Sequence, residues 1–191
     1  MIPITNITGR LGNQMFQFAY IYAKCRDGEI PDYHVQNPIY FEKYKNEIKA
    51  LFGAGIVPIN KVAIQVRRGG NPHMASEPNY SENPFYVHLC ETSYFQDAMT
   101  HFPDAEFMVF SDDIEWCKTF FKGEQFSFCE EPDDIKAMNI MAGCKGHIIS
   151  NSTYGWWGAY ISPYSQKVIA PAKYYSDGIE RTFYPEEWIK I

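Results

Sequence analysis

No window of this chain approaches the roughly 18 consecutive apolar residues of a membrane-spanning helix. Its first residues, MIPITNITGR, also lack the basic start and long apolar core of a secretory signal. Positive charge is scarce. The 17 Lys and Arg stand against 23 Asp and Glu, a formal net charge of −6, which argues against a general binder of nucleic acid or anionic membrane. Cysteine is sparse and badly placed for metal or disulfide chemistry. Cys25, Cys90, Cys117, Cys129 and Cys144 form no CxxC pair and no Cys/His cluster at ligand spacing, and so read as reduced thiols of a cytoplasmic protein. The sequons at Asn6, Asn79 and Asn151 therefore carry little meaning. Internal repeats, low-complexity tracts and a Gly-Lys-Ser/Thr phosphate loop are all missing.

What is present belongs to an ordinary globular chain. Apolar residues make up 46% and charged ones 21%, far from the composition of disorder. At 191 residues, folding hides roughly 70% of the unfolded surface, so no disulfide or metal staple is needed. Aromatics are abundant at 17%, which suits a thick core or a surface on which flat ligands stack.

The apolar pattern predicts a short strand at Ile2–Ile7, a glycine loop, and a helix from Asn13 until Gly28 stops it. A second amphipathic helix is expected over Tyr40–Phe52. From there strands and helices alternate. Strands are expected at Val62–Val66, Phe85–Leu89, Glu106–Phe110, Phe126–Phe128, His147–Ile149 and Lys167–Ala170. Helices are expected at Tyr94–His101, Asp113–Phe121, Asp133–Gly143 and Thr153–Ile161. Short apolar strands alternating with helices imply an α/β fold: a Rossmann-like parallel sheet with helices on both faces. Such sheets bind ligands at the carboxyl ends of their strands. Those ends here read Arg67-Arg68-Gly69, Ser111-Asp112-Asp113 and Ser150-Asn151-Ser152-Thr153.

Each cluster has a chemical reading. In Gly9-Arg10-Leu11-Gly12-Asn13-Gln14 two glycines allow close backbone approach, and Asn13 can cap a helix whose start faces an anion. Arg67 and Arg68 follow a strand, so their side chains should point to opposite faces, one gripping a ligand and the other bracing the loop. Asp113 fits the N-cap of the next helix. Asp112 stays open among an acid/base role, a hydrogen-bond acceptor and a metal pair with Asp113, although no third metal ligand is evident nearby. The hydroxyls and amides of Asn151, Ser152 and Thr153 at a helix start suit phosphate. Trp156 and Trp157 read as core. None of the five scattered histidines carries a catalytic pattern.

Taken together, GRLGNQMFQFA at 9–19, VAIQVRRGG at 62–70, FSDD at 110–113 and ISNSTYGWWGAY at 149–160 resemble the bacterial α-1,2-fucosyltransferases of glycosyltransferase family 11, in the same order along the chain. The resemblance implies a GT-B-like arrangement: residues 1–60 as a reduced amino-terminal, acceptor-side lobe, and 61–191 as the Rossmann-like domain that binds a GDP-sugar. It implies an inverting, metal-independent transfer of L-fucose from GDP-β-L-fucose to a hydroxyl of a galactose-containing glycan, with no cofactor. Arg67 would be catalytic, gripping the β-phosphate as the glycosidic bond breaks. Gly12, Asn13, Gln14, Asn151, Ser152 and Thr153 would bind donor, Asp112 would accept from the guanine edge, and Arg68 and Asp113 would be structural. A lipid-linked acceptor would add peripheral association with a membrane. No nucleic acid partner is implied.

The family's HxRRGD motif is altered here, with Gln65 for its His and Gly70 for its Asp. Residues 20–61 are shorter than in ordinary members. Without a carboxylate at 70, Glu77 or His73 would be left as general base. The altered motif also keeps a second reading open, a catalytically degenerate GDP-sugar-binding module. A third is a Rossmann-like nucleotide binder unrelated to sugar transfer.

Overall fold

The computed structural model describes residues 9–27, 38–69, 80–177 and 184–191. The expected strand at 2–7, and Gly70, His73 and Glu77, lie outside the described residues. The described chain opens with α1 (Leu11–Arg26), two 3-10 turns and α2 (Lys45–Phe52). β1 (Ile59–Val66), α3 (Tyr94–Met99), β2 (Phe107–Ser111), α4 (Ile114–Phe120) and β3 (Phe126–Phe128) form one half of the sheet and its cover. α5 (Asp134–Ala142), β4 (Cys144–Ile148), α6 (Thr153–Tyr160), β5 (Val168–Ala170) and β6 (Ile189–Lys190) complete the other.

All five strand pairings are parallel, and the order is β3-β2-β1-β4-β5-β6. The chain runs outward from β1 to β3, then returns to the other side of β1 for β4. The two halves therefore diverge between the carboxyl ends of β1 and β4, the switch point at which doubly wound sheets open a crevice. The Rossmann-like α/β fold expected from the alternation is present.

Side-chain alternation on β1 sorts the core into two layers. Val62, Ile64 and Val66 enter one cluster with Phe95, Val109 and Cys117. Ala63 enters the other, with Phe110 and the buried faces of α1, α5 and α6. α6 is apolar on nearly every side, and Trp156 and Trp157 are 1% and 0% exposed, so they are core as expected. Phe16 of α1 packs on both indoles, at ring-centroid distances of 4.6 and 5.0 Å. α1 comes this close because of Gly12, where a Cβ would lie 2.6 Å from the Thr153 and Tyr154 backbone. Asp113 caps α4 through the Trp116 N–H at 3.3 Å, and Asp133 caps α5 through the Ile135 and Lys136 N–H groups at 2.9 Å.

Three expectations are corrected. Phe85–Leu89 is not a strand. Asn83 turns the chain, its Oδ1 accepting the Phe85 N–H at 3.0 Å, and only an isolated antiparallel bridge joins Tyr86 to Tyr175. The helix expected from Tyr40 begins at Lys45. Phe41 and Tyr44 are drawn into the core from 3-10 turns instead, and Tyr44 hydrogen-bonds Asp27. β6 was not foreseen, because two residues carry no periodicity. Among the described residues no helix is long and apolar enough to cross a membrane.

Candidate functional site

A cavity of about 380 Å³ opens at the switch point, where the ends of β1, β2 and β4 meet the starts of α1 and α6. Of the residues singled out in the sequence, Asn13, Arg67, Asp112, Asn151, Ser152 and Thr153 all line it. Gly12 and Gln14 do not. Gly12 is buried against α6, and Gln14 turns back to donate to the Gly9 carbonyl at 2.7 Å.

Arg67 is the centre of the cavity's charge. It donates to the Gly69 carbonyl at 2.8 Å, lies 5.1 Å over the Tyr80 ring and pairs with the Asp112 carboxylate. Burial, and secondarily the positive charge of Arg10, push its pKa down to about 10. It is therefore still a cation at neutral pH, but a poorly solvated one that an incoming anion would stabilise. Arg68 points away, its guanidinium 4.2 Å over Trp116 and its Nε 3.3 Å from an Asp113 oxygen. The two arginines diverge as strand geometry requires.

Asp112 differs from its expected part. Its Oδ1 accepts the Arg68 and Gly69 backbone N–H groups, both at 2.9 Å. Its Oδ2 faces Arg67 and, at 3.3 Å, Arg10. A carboxylate offers about four acceptor positions, and here the loop and two guanidiniums take them. The side chain organises the arginines and presents no open edge to a base.

Asn13 and Thr153 join the glycine loop to α6, the Thr153 hydroxyl donating to Asn13 Oδ1 at 2.8 Å. Asn151 is a buried staple. Its Nδ2 donates to the Val87 and Tyr174 carbonyls at 2.9 and 2.8 Å, and its own carbonyl accepts from Tyr80 Oη. Ser152 occupies the α6 N-cap position without a side-chain cap bond, which leaves helix-start N–H groups facing the cavity side.

Sequence reasoning missed several lining residues. Gln65 precedes Arg67 by two on a strand, so period-2 alternation alone puts both on one face. Arg10 was visible inside the glycine loop. Tyr80, Tyr86 and Tyr174 are assembled by tertiary packing, with Tyr80 and Tyr86 stacked at 4.2 Å, and no local pattern marks them.

Comparison with known proteins gives matches that agree in kind. The family model for glycosyl transferase family 11 matches residues 33–191. An Alpha-1,2-colitosyltransferase of Escherichia coli is 30% identical over 187 residues, covering 82% of this chain and 60% of that protein. The O-antigen biosynthesis glycosyltransferase WbnK, also of Escherichia coli, is 26% identical over 144 residues, covering 69% of this chain and 45% of its own. The chain thus spans about half the length of the curated relatives it matches. No solved structure matches it.

Proposed function

The chain belongs to glycosyl transferase family 11, and we propose that it transfers L-fucose from GDP-β-L-fucose to a galactoside hydroxyl, with inversion to an α-1,2 linkage. The observation that carries this reading is Arg67, a half-buried, charged guanidinium lining the cavity at the switch point, with the start of α6. The acceptor oxygen bonds to C1 of the sugar while the bond from C1 to the β-phosphate oxygen breaks. Its electron pair leaves with GDP, and the hydroxyl proton passes to a base. Charge grows on the phosphate in the transition state, where a preorganised, desolvated cation contributes most. Arg67 takes that role, with helix-start N–H groups and the Ser152 hydroxyl holding the diphosphate, while Thr153 is tied to Asn13. Residues 61–191 supply most of the donor site, Arg10 and Asn13 line it from the segment before them, and the rest of that segment faces the acceptor.

Incubation with GDP-fucose and lactose, with fucosyl-lactose and GDP measured together, tests the proposal. A parallel arm with a colitose donor follows from the colitosyltransferase relative. Equal formation of product and GDP supports the transferase. The substitution of Gln65 for the motif's histidine favours the second reading, a donor-binding module without transfer, which predicts GDP-fucose binding with no product.

A further inference from the structure

We infer that Gln65 selects the base of the donor, presenting its amide N–H groups to the O6 and N7 acceptor edge of guanine. This rests on the reading of the cavity as a nucleotide-sugar site. Gln65 is only 4% exposed, yet it lines the cavity. Its oxygen is already committed: Ser150 Oγ donates to Oε1 at 2.6 Å, and Gly155 packs so closely that a Cβ there would lie 2.5 Å from the same atom. With the oxygen held, the amide nitrogen is the half left over, and it donates to no described residue. That nitrogen is not one of the fully buried side-chain atoms without a partner, so it meets the open cavity, where an acceptor of a bound ligand can take the place of water.

The surroundings fit a flat ring. Phe110 is the register partner of Gln65 on β2, and Cys129, Ala137 and Tyr154 join it in lining the same cavity. Asp112, the obvious acidic candidate, has its oxygens taken by the loop and the arginines. The donor-only character of Gln65 matters for selectivity. Guanine offers two acceptors on the O6/N7 edge, whereas adenine offers N7 and a competing N6 donor. Hypoxanthine keeps the guanine edge and lacks only the 2-amino group.

Calorimetric titration of wild type and Gln65→Glu with GDP, IDP, ADP and inorganic pyrophosphate tests this. The glutamate keeps an acceptor for Ser150 while turning the cavity-facing donor into an acceptor. In wild type, GDP and IDP should bind within about threefold of each other and ADP about tenfold or more weaker. In Gln65→Glu, GDP and IDP affinity, normalised to pyrophosphate, should fall about tenfold while ADP does not, closing the preference. A GDP-over-ADP ratio unchanged in Gln65→Glu overturns the assignment. So does a tenfold weaker IDP in wild type, which needs no variant to fold and points to a reader of the 2-amino group. A wild type that binds neither GDP nor pyrophosphate overturns the donor-site reading, and this inference with it.

Discussion

Arg67→Gln should separate activity from stability. In the folded chain burial and Arg10 hold Arg67 down to about 10, a depression worth about 3 kcal/mol against the charged form. That cost is present throughout neutral pH and is relieved only as pH rises past 10, when the proton leaves. The glutamine amide removes that cost and keeps a donor for the Gly69 carbonyl, but it takes one guanidinium from Asp112, whose other oxygen stays held by the Arg68 and Gly69 N–H groups. These changes oppose one another, so the glutamine variant should melt within about 3 °C of wild type. Transfer should respond very differently. Loss of the cation facing the leaving phosphate should lower kcat/KM about 10²–10³-fold. Arg67→Lys should recover only part of it, since an ammonium cannot make the planar two-point contact. Initial rates at fixed acceptor, run beside thermal melts, give both quantities. Activity within threefold of wild type refutes the role, and so does a loss of activity that only tracks a lower melting temperature.

Arg68→Ala should show the opposite signature. Removal of the guanidinium over Trp116 and beside Asp113 should lower the melting temperature by about 3–6 °C with little change in GDP affinity per folded molecule, measured by melts and titration. Activity should persist in excess EDTA, because Asp112 and Asp113 are committed to N–H groups and arginines; loss on chelation, restored by Mg²⁺, would overturn this. Stability should fall in mild acid through His147, whose burial holds it neutral down to about 4. Its Nε2 must carry the proton donated to the Met141 carbonyl, and Nδ1 accepts from Ser165. The unfolded chain binds a proton near pH 6.5, so stability should drop by up to about 3 kcal/mol between pH 6.5 and 4, and flatten over that range in His147→Phe, by denaturant titration.

The parallel sheet was legible because fully buried strands are written as short apolar, β-branched runs, as at Val62–Val66, with helix caps such as Asp113 and Asp133 between them. The site was legible at strand ends, where polar clusters interrupt that pattern. What escaped was set by distant parts of the chain. Phe85–Leu89 looks extended and apolar, but among the described residues it makes only the isolated bridge from Tyr86 to Tyr175, and Asn83 turns it locally. Asp112 sits where expected, yet which way its carboxylate faces depends on the loop after β1 and on Arg10 just before α1, separated from it by 43 and 102 residues. Gln65 was passed over as the lost histidine of a motif. Its burial beside Ser150 and Gly155 is a property of the packed sheet.

Transfer requires that the donor bind at the switch point against Arg67, and titrating GDP-fucose in EDTA into wild type and Arg67→Gln measures this. Wild type should bind one molecule per chain, competed by GDP and by pyrophosphate, with affinity lowered at least tenfold in the variant. No binding to wild type, or equal affinity in a folded Arg67→Gln, would contradict this.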